Sequence, residues 1–256
     1  MDDIIQTSIE YKSGLVGAWL LLLLVGERLY PAVERLGGWG RILRNAGLWL
    51  INIGLYIAIV VPLSRWAVDG GWGWRPVWLG GWSGALFDIV LLDFFIYWWH
   101  RANHAVPALW RFHQVHHLDQ FLDVSSSIRF HFGEVLLSAC IRVAVILAVG
   151  IPITSVLAFE GLVLAAAAFH HSNIRLPSVL EGTIAWVFVT PSIHWVHHHA
   201  IRSDTDSNYG TLFSFWDPIF RSNSPNSRRP DMAIGVDARE DEGLLTLLAI
   251  PFRNRN

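Results

Sequence analysis

Residues 93–117 read D-F-F-I-Y-W-W-H-R-A-N-H-A-V-P-A-L-W-R-F-H-Q-V-H-H, from Asp93 to His117. An apolar, aromatic run arrives at His100, repeats a histidine four residues later at His104, and after Pro107 presents His113, His116 and His117. Residues i and i+4 of a helix share a face, as do i, i+3 and i+4, so each of these two groups can aim its rings at one point. The run before His100, Ala85 to Trp99, is one apolar stretch among several. The stretch therefore reads as a membrane helix that delivers histidines to the edge of the bilayer.

Working outward, the same apolar character recurs. Spans are predicted at Gly14–Val25 (extendable to about residue 30 if Glu27 and Arg28 lie at the interface), Ala46–Leu63, Ala85–Trp99, Val135–Ile151 and Ile153–Phe169. The last two meet at Pro152 and lie near the lower limit of about 17 residues for a crossing, so a short hairpin that dips in and returns is the alternative. Val179–Val189 is too short to cross and reads as interfacial or protein-packed. Leu244–Phe252 reads as an amphipathic tail lying on the membrane. The fold class expected is all-α: a multi-pass transmembrane bundle of about four to five membrane-embedded helices with a cytosolic histidine-rich cap. The organisation expected is an N-terminal anchor over residues 1–84, a catalytic region over residues 85–222, and a polar C-terminal tail with a short amphipathic segment over residues 223–256, forming one functional domain.

Composition agrees. Of the 256 residues 53% are hydrophobic and 16% charged, against about 25% charged in soluble domains; the mean hydropathy is +0.39. The net charge of −2 and the lack of a basic face exclude nucleic-acid binding. One cysteine, Cys140, excludes an intrachain disulfide and a cysteine-rich metal site; it is expected to be a small buried hydrophobe. Trp19, Trp39, Trp49, Trp66, Trp72, Trp74, Trp98 and Trp99 fall at the ends of apolar runs, where interfacial belts favour them. The acidic start M-D-D-I-I-Q lacks the basic region of a cleavable signal, so the first span is expected to be retained.

Arg28, Arg35, Arg41 and Arg44 surround the first loop, whereas the second holds Arg65 and Arg75, and the N-terminus sets Lys12 against Asp2, Asp3 and Glu10. The positive-inside rule then puts the first loop in the cytoplasm. Counting crossings brings His100 and His170 to that same side. The expected localisation is a bacterial inner membrane with the active site facing the cytoplasm.

All 12 histidines lie between residues 100 and 199. A-F-H-H-S-N-I contains His170 and His171; P-S-I-H-W-V-H-H-H contains His194, His197 and His198 at the offsets 0, 3 and 4, with His199 adjacent. A lone histidine is more often a structural hydrogen-bonder than a ligand. Two H-x-x-H-H boxes and one H-x-x-x-H gathered by topology are not explained that way, since buried polar groups need partners. Eight or more nitrogen donors exceed one ion, so two are implied. With a single cysteine in an apolar run, copper(I), iron–sulfur and structural zinc sites are disfavoured, and no H-E-x-x-H is present for a zinc protease; imidazole itself leaves iron, zinc, copper and nickel open. Asp93, Tyr97, His100 and His104 step along one helical face, so the Asp93 carboxylate could orient a ligating ring. Asp88 lies off that face. Glu134 reads either as a helix N-terminal carboxylate or as a support for a ligand. Glu160, inside the last span, reads equally as buried and neutral.

The order of these boxes, the D-F-F-I-Y-W-W-H-R before them and the D-S-N-Y-G-T-L-F-S-F-W-D-P-I-F after them resemble the fatty acid hydroxylase/sterol desaturase superfamily over residues 85–222. The resemblance implies two non-haem iron ions on the cytosolic face of a helical membrane bundle, O2 as co-substrate, a membrane lipid substrate, and electrons from an external ferredoxin-, cytochrome- or reductase-type donor, as no cytochrome b5-like segment is recognised in the chain. Carried over by position, the ligands it implies are His100, His104, His113, His116, His117, His194, His197 and His198, with His171 an additional ligand and His131, in R-F-H-x-x-E, a further candidate. His170 and His199 have no counterpart. Asn208, Tyr209 and Gly210 match an element that shapes the site. W-D-P-I-F-R-S replaces the family's W-D-x-x-F-G-T, which touches the local turn. The activity implied is lipid hydroxylation. A desaturase with the same centre is one alternative. A non-catalytic metal- or haem-handling membrane protein is another, but it would spread histidines along the spans instead of gathering them at one side.

Overall fold

A computed structural model of the chain describes residues 2–72 and 75–253, with side chains from residue 14 onward. The chain opens with α1 (Asp2–Leu29) and α2 (Trp39–Leu55); α2 runs on through a π-helical turn, Tyr56–Val60, into α3 (Val61–Asp69). Then follow α4 (Gly81–Ala105), α5 (Pro107–His117), α6 (Phe132–Val149) and α7 (Ile153–His171). Trp39–Asp69, Gly81–Ala105, Phe132–Val149 and Ile153–His171 are long and apolar enough to cross a membrane, making this a multi-pass membrane protein. The Trp39–Asp69 crossing is longer than the apolar core Ala46–Leu63 suggested. Its interruption has a local cause: Pro62 has no N–H, and its ring crowds the carbonyl four residues back, so the turn before it widens. Gly150, at φ +69°, ends α6 in the left-handed conformation, and extended Pro152 starts α7. That makes the tight connection the sequence placed there.

The helices alternate in direction. Gly71, after α3, packs against Gly150, after α6, at one end of the bundle. At the other end Pro31 bridges to Ile174, so the termini of α1 and α7 meet there. The cap is built on this second end from α5, α8 (Ser178–Ile184), α9 (Pro191–His197), α10 (Arg202–Thr205), α11 (Trp216–Phe220) and α12 (Leu244–Ala249). Bundle interior residues include Leu92, Val143, Ile146, Val156 and Phe159; Phe121, Leu122, Trp195, Val196, Met232 and Ile234 fill the cap. Leu50, Ile57, Leu86 and Leu162 stay exposed on the span surfaces, as lipid contact requires.

The first loop's arginines fasten the cap to the bundle. Arg41 is buried, and its guanidinium donates to Asp119 at 2.6 Å and Asp123 at 2.8 Å. Arg44 and Arg129 both hold Asp241. Glu27 accepts from the backbone N–H groups of Val124 and Asn173.

Several expectations are corrected. Cys140 is exposed on α6, not buried. Residues 244–252 do not lie free on a membrane: Leu247 and Ile250 are buried against Leu48, Val115 and Leu118. The polar segment before them also folds onto the cap, where His199 bridges to Ile234. Of the expected belt, Trp39, Trp66 and Trp72 are well exposed, whereas Trp19 donates to the Ala165 carbonyl across a helix contact. Asp88 pairs with Arg75 at 2.9 Å. Trp74 and the side chains of Asp2, Asp3, Glu10 and Lys12 lie outside the described residues.

Candidate metal centre

Four helices deliver nine histidines to the cap end of the bundle. α4 ends in His100 and His104; α5 carries His113, His116 and His117; α7 ends in His171; α9 and the residue after it carry His194, His197 and His198. Pro107 and Pro191 start α5 and α9, where a missing N–H costs nothing, so both short helices begin sharply. The rings form two groups: His100, His104, His113, His117 and His197 in one, and His116, His171, His194 and His198 in the other. Within each group the donor nitrogens lie within 4.8 Å of one another, and every member is buried.

Each H-x-x-H-H box divides between the groups, whereas the spacing led to the expectation that its three rings meet at one point. His113 and His117 point to one centre and His116 to the other; His197 joins the first, while His194 and His198 join the second. The i and i+4 members of a box stay together, and the i+3 histidine, about 60–100° away around the helix, joins the neighbouring group.

Hydrogen bonds on the far side of the rings fix their tautomers. His100 Nδ1–H donates to the Tyr209 carbonyl (2.9 Å), His116 to Arg129 (3.0 Å), His171 to Ala167 (2.8 Å) and His197 to Ser207 (2.6 Å). A carbonyl only accepts, so the opposite nitrogen of each ring is a bare lone pair. Yet His116 Nε2 and His171 Nε2 are 3.1 Å apart, and His100 Nε2 and His197 Nε2 have no hydrogen-bond partner. Two lone pairs facing each other repel. A cation between them would reverse the sign, since nitrogens that share one first-row ion, each about 2.1 Å from it, lie roughly 3.0–3.4 Å apart. His194 Nε2 to His171 Nε2 is 3.0 Å and His198 Nε2 to His194 Nε2 is 3.1 Å. The donor set thus fits a pair of first-row metal ions. Loss of water, and then the neighbouring rings, push His116, His117, His194, His197 and His198 well below the ordinary histidine pKa, so these rings are neutral donors.

The other expected residues divide. Glu134, in the first turn of α6, lies 2.8 Å from His113 Nδ1 and so acts as both the helix-start carboxylate and the support of a ring. Asp93 does not touch a histidine. It accepts from the backbone N–H groups of Leu212 and Phe213 and from Trp216 Nε1, anchoring the loop after the last box. Tyr97 bonds Ser222 and likewise braces that loop. Asn208, at φ +53°, ties Ser224 to the Ile193 carbonyl. A Cβ on Gly210 would fall 2.7 Å from the Phe213 carbonyl, which explains the glycine. The Asn208–Tyr209–Gly210 turn therefore matters through its backbone, since the neighbouring carbonyls of Ser207 and Tyr209 orient His197 and His100.

His131 is not gathered with the others. Its Nδ1 accepts from Gly133 N–H at the start of α6, and its Nε2 bonds the Leu248 carbonyl. Both nitrogens are spent on structure. His199 pairs with Asp204 at 2.7 Å, away from both groups. His170 is buried beside His171 and His194, with ring centroids 4.7 and 4.1 Å away. Two supports escaped the sequence reading. Arg129 is wholly buried; its own backbone carbonyl accepts from His116, and its side chain donates to the Val115 carbonyl. Asp217 grips the N–H groups of Tyr209 and Gly210. Neither carries a periodicity signal.

A cavity of about 500 Å³ opens from the histidines into the bundle. Trp49 and Ile53 of α2, Ile96 and Trp99 of α4, Val135 of α6 and Val163 of α7 supply apolar wall.

A family profile described as fatty acid hydroxylase matches residues 85–222, the segment that holds all nine histidines. An ornithine lipid hydroxylase, OlsE, of Rhizobium tropici is 27% identical over 170 residues, which cover 66% of this chain and 50% of that protein. The alkylglycerol monooxygenase of Homo sapiens is 28% identical over 210 residues, 80% of this chain and 43% of that one. A very-long-chain aldehyde decarbonylase, GL1-5, of Oryza sativa subsp. indica is 26% identical over 208 residues, 77% of this chain and 31% of that one. The chain spans half or less of the length of these relatives. No solved structure matches.

Proposed function

Since the chain belongs to the fatty acid hydroxylase family, we propose that it is an O2-dependent hydroxylase of a membrane lipid, working through two iron ions held by the two histidine groups. The observation that carries this reading is the junction of an apolar cavity with paired sets of bare imidazole nitrogens. Residues 85–222 are its proposed catalytic region, and residues 1–84 supply anchor helices.

Bound iron would supply the activation of O2 that an unactivated C–H bond demands. The protein's part is placement. His100, His104, His113, His117 and His197 hold one ion, and His116, His171, His194 and His198 the other. Glu134 fixes the ring of His113, and the carbonyls of Ser207, Tyr209, Arg129 and Ala167 fix four more, so little reorganisation is needed. The apolar walls bind an alkyl chain and keep bulk water from the reacting carbon. Turnover consumes one lipid, one O2, two electrons and two protons, and yields one hydroxylated lipid and one water. The electrons come from an external donor. The orientation proposed sets the cap on the cytoplasmic side of a bacterial inner membrane; it rests on the arginines of the first loop.

The relatives named as a lipid hydroxylase and a monooxygenase support this class of reaction. The test is reconstitution in lipid nanodiscs with iron, O2 and a chemical reductant, followed by lipid mass spectrometry. A product heavier by one oxygen, absent in the His113→Ala variant, is expected. Loss of two hydrogens would make the protein a desaturase, and metal binding without any turnover would reject the oxygenase reading.

A further inference from the structure

The cavity does not end on hydrocarbon. At its deep end, remote from the histidines, it is lined by Tyr56, Arg142 and Glu160, which come from three different helical segments. Tyr56 Oη donates to Glu160 Oε2 at 2.5 Å, and Arg142 Nη1 lies 3.8 Å from Glu160 Oε1. Glu160 precedes His171 by eleven residues on α7, about 16 Å along the axis. On a helix that crosses the bilayer, this puts an ion pair near mid-membrane. Charged groups there are costly and mark function more often than packing. Tyr56 also begins the π-helical turn, a distortion that recurs at functional sites.

The hydrogen-bond inventory says what would fit. Arg142 Nε is buried and has no partner, so one N–H donor is left over. The Tyr56 hydroxyl hydrogen is committed to Glu160, which leaves its oxygen as an acceptor. On α6, Glu134, Ser138 and Arg142 follow one another at intervals of four and all line the cavity, giving a polar stripe along one wall. The charges of Arg142 and Glu160 offset each other, so a carboxylate or phosphate would set a second anion beside Glu160 at low dielectric. A group that both donates and accepts, and carries no charge, matches.

We propose that the deep end of the cavity recognises a hydroxyl group on the hydrocarbon chain of the lipid, held between Arg142 Nε–H and the Tyr56 oxygen, and thereby sets which carbon reaches the histidines. This rests on the lipid-hydroxylase reading for its consequence but not for its binding. The favoured substrate is a lipid already oxygenated in its chain, so a chain-hydroxylating reaction must act before this one.

The test is equilibrium binding of two neutral, chain-matched probes, methyl hydroxystearate with its hydroxyl near mid-chain and methyl stearate, to the full chain in phosphatidylcholine nanodiscs. One added hydrogen bond to a charged group predicts about tenfold tighter binding of the hydroxylated probe. In Tyr56→Phe, and in the charge-neutral double variant Arg142→Met with Glu160→Gln, that preference should vanish while methyl stearate binds as before. Removing both charges avoids stranding one of them, and Tyr56→Phe removes a single oxygen, so between them a folded variant is assured a reading. Equal binding of the two probes by the wild-type protein, or a preference that survives both variants, would overturn the proposal and make the triad a water-filled clamp between helices. A preference without O2-dependent turnover would count against the hydroxylase reading alone.

Discussion

His113 Nδ1 lies 2.8 Å from the carboxylate of Glu134, so the first turn of α6 reaches across the bundle to orient a ring on α5. A carboxylate in this position fixes the tautomer and raises the basicity of the opposite nitrogen. Glu134→Ala should weaken metal binding about 10–100-fold. Glu134→Gln, whose amide oxygen can still accept, should lose less. Competition against a chelator measures both, and equal affinity in Glu134→Ala would remove Glu134 from the site.

Asp93 holds two backbone N–H groups and the Trp216 indole. Asp93→Ala strands all three in the interior, at a cost of about 3 kcal/mol or more. The melting temperature should fall, and the amides of Leu212 and Phe213 should exchange hydrogen faster than those of α5. Asp93→Asn, which keeps one acceptor oxygen, should fall between. Unchanged exchange at Leu212 would show that the loop is held by other means.

Burial by itself would raise the Asp123 carboxyl, but the hydrogen bonds and charge of Arg41 overcome it and hold the carboxyl below the ordinary aspartate value. An acid depressed in the folded state contributes stability above its unfolded pKa, about 3.9, and loses that contribution as pH falls through the folded value. The cap should therefore loosen below about pH 4, losing the Arg41 clamp. In Asp123→Asn that part of the acid limb should be absent. Thermal melts in nanodiscs across pH 3 to 7 read this directly, and parallel curves for the two proteins would contradict it.

Cys140 is the one cysteine of the chain and faces outward from α6. It lies eight residues into that helix, about 12 Å along its axis. A charged, membrane-impermeant maleimide should leave it unlabelled in intact membranes and label it once sodium dodecyl sulfate unfolds the chain. Ser203→Cys, in the cap, should react with the charged reagent in inverted vesicles and not in intact spheroplasts. The reverse pattern at residue 203 would turn the protein over.

The sequence made the histidines legible because helical spacing alone decides which rings share a face. Pro152 and the span before His100 were readable for other local reasons: proline interrupts a helix, and a long apolar run calls for a bilayer. Phase says which face a residue occupies and not what it meets there, and so Asp93 shares the face of His100 but reaches the loop at Leu212. Leu244–Phe252 shows an apolar side in the sequence, yet only the fold reveals that Leu48 and Val115 cover it in place of lipid. Arg41 counted as a surface charge in the orientation argument, but it is buried on Asp119 and Asp123, partners about eighty residues away. The pairing of Tyr56 with Glu160 and Arg142 joins three helical segments, and no local pattern encodes it.

Metal analysis of the purified protein, with X-ray absorption at the iron edge, decides whether the two histidine groups hold a pair of iron ions. Two ions per chain in an imidazole-nitrogen shell are expected, and His171→Ala, which empties one place among His116, His194 and His198, should keep the ion held by the other group. A wild-type protein that binds no metal, or a metal content indifferent to His171 and His113 alike, would contradict the account.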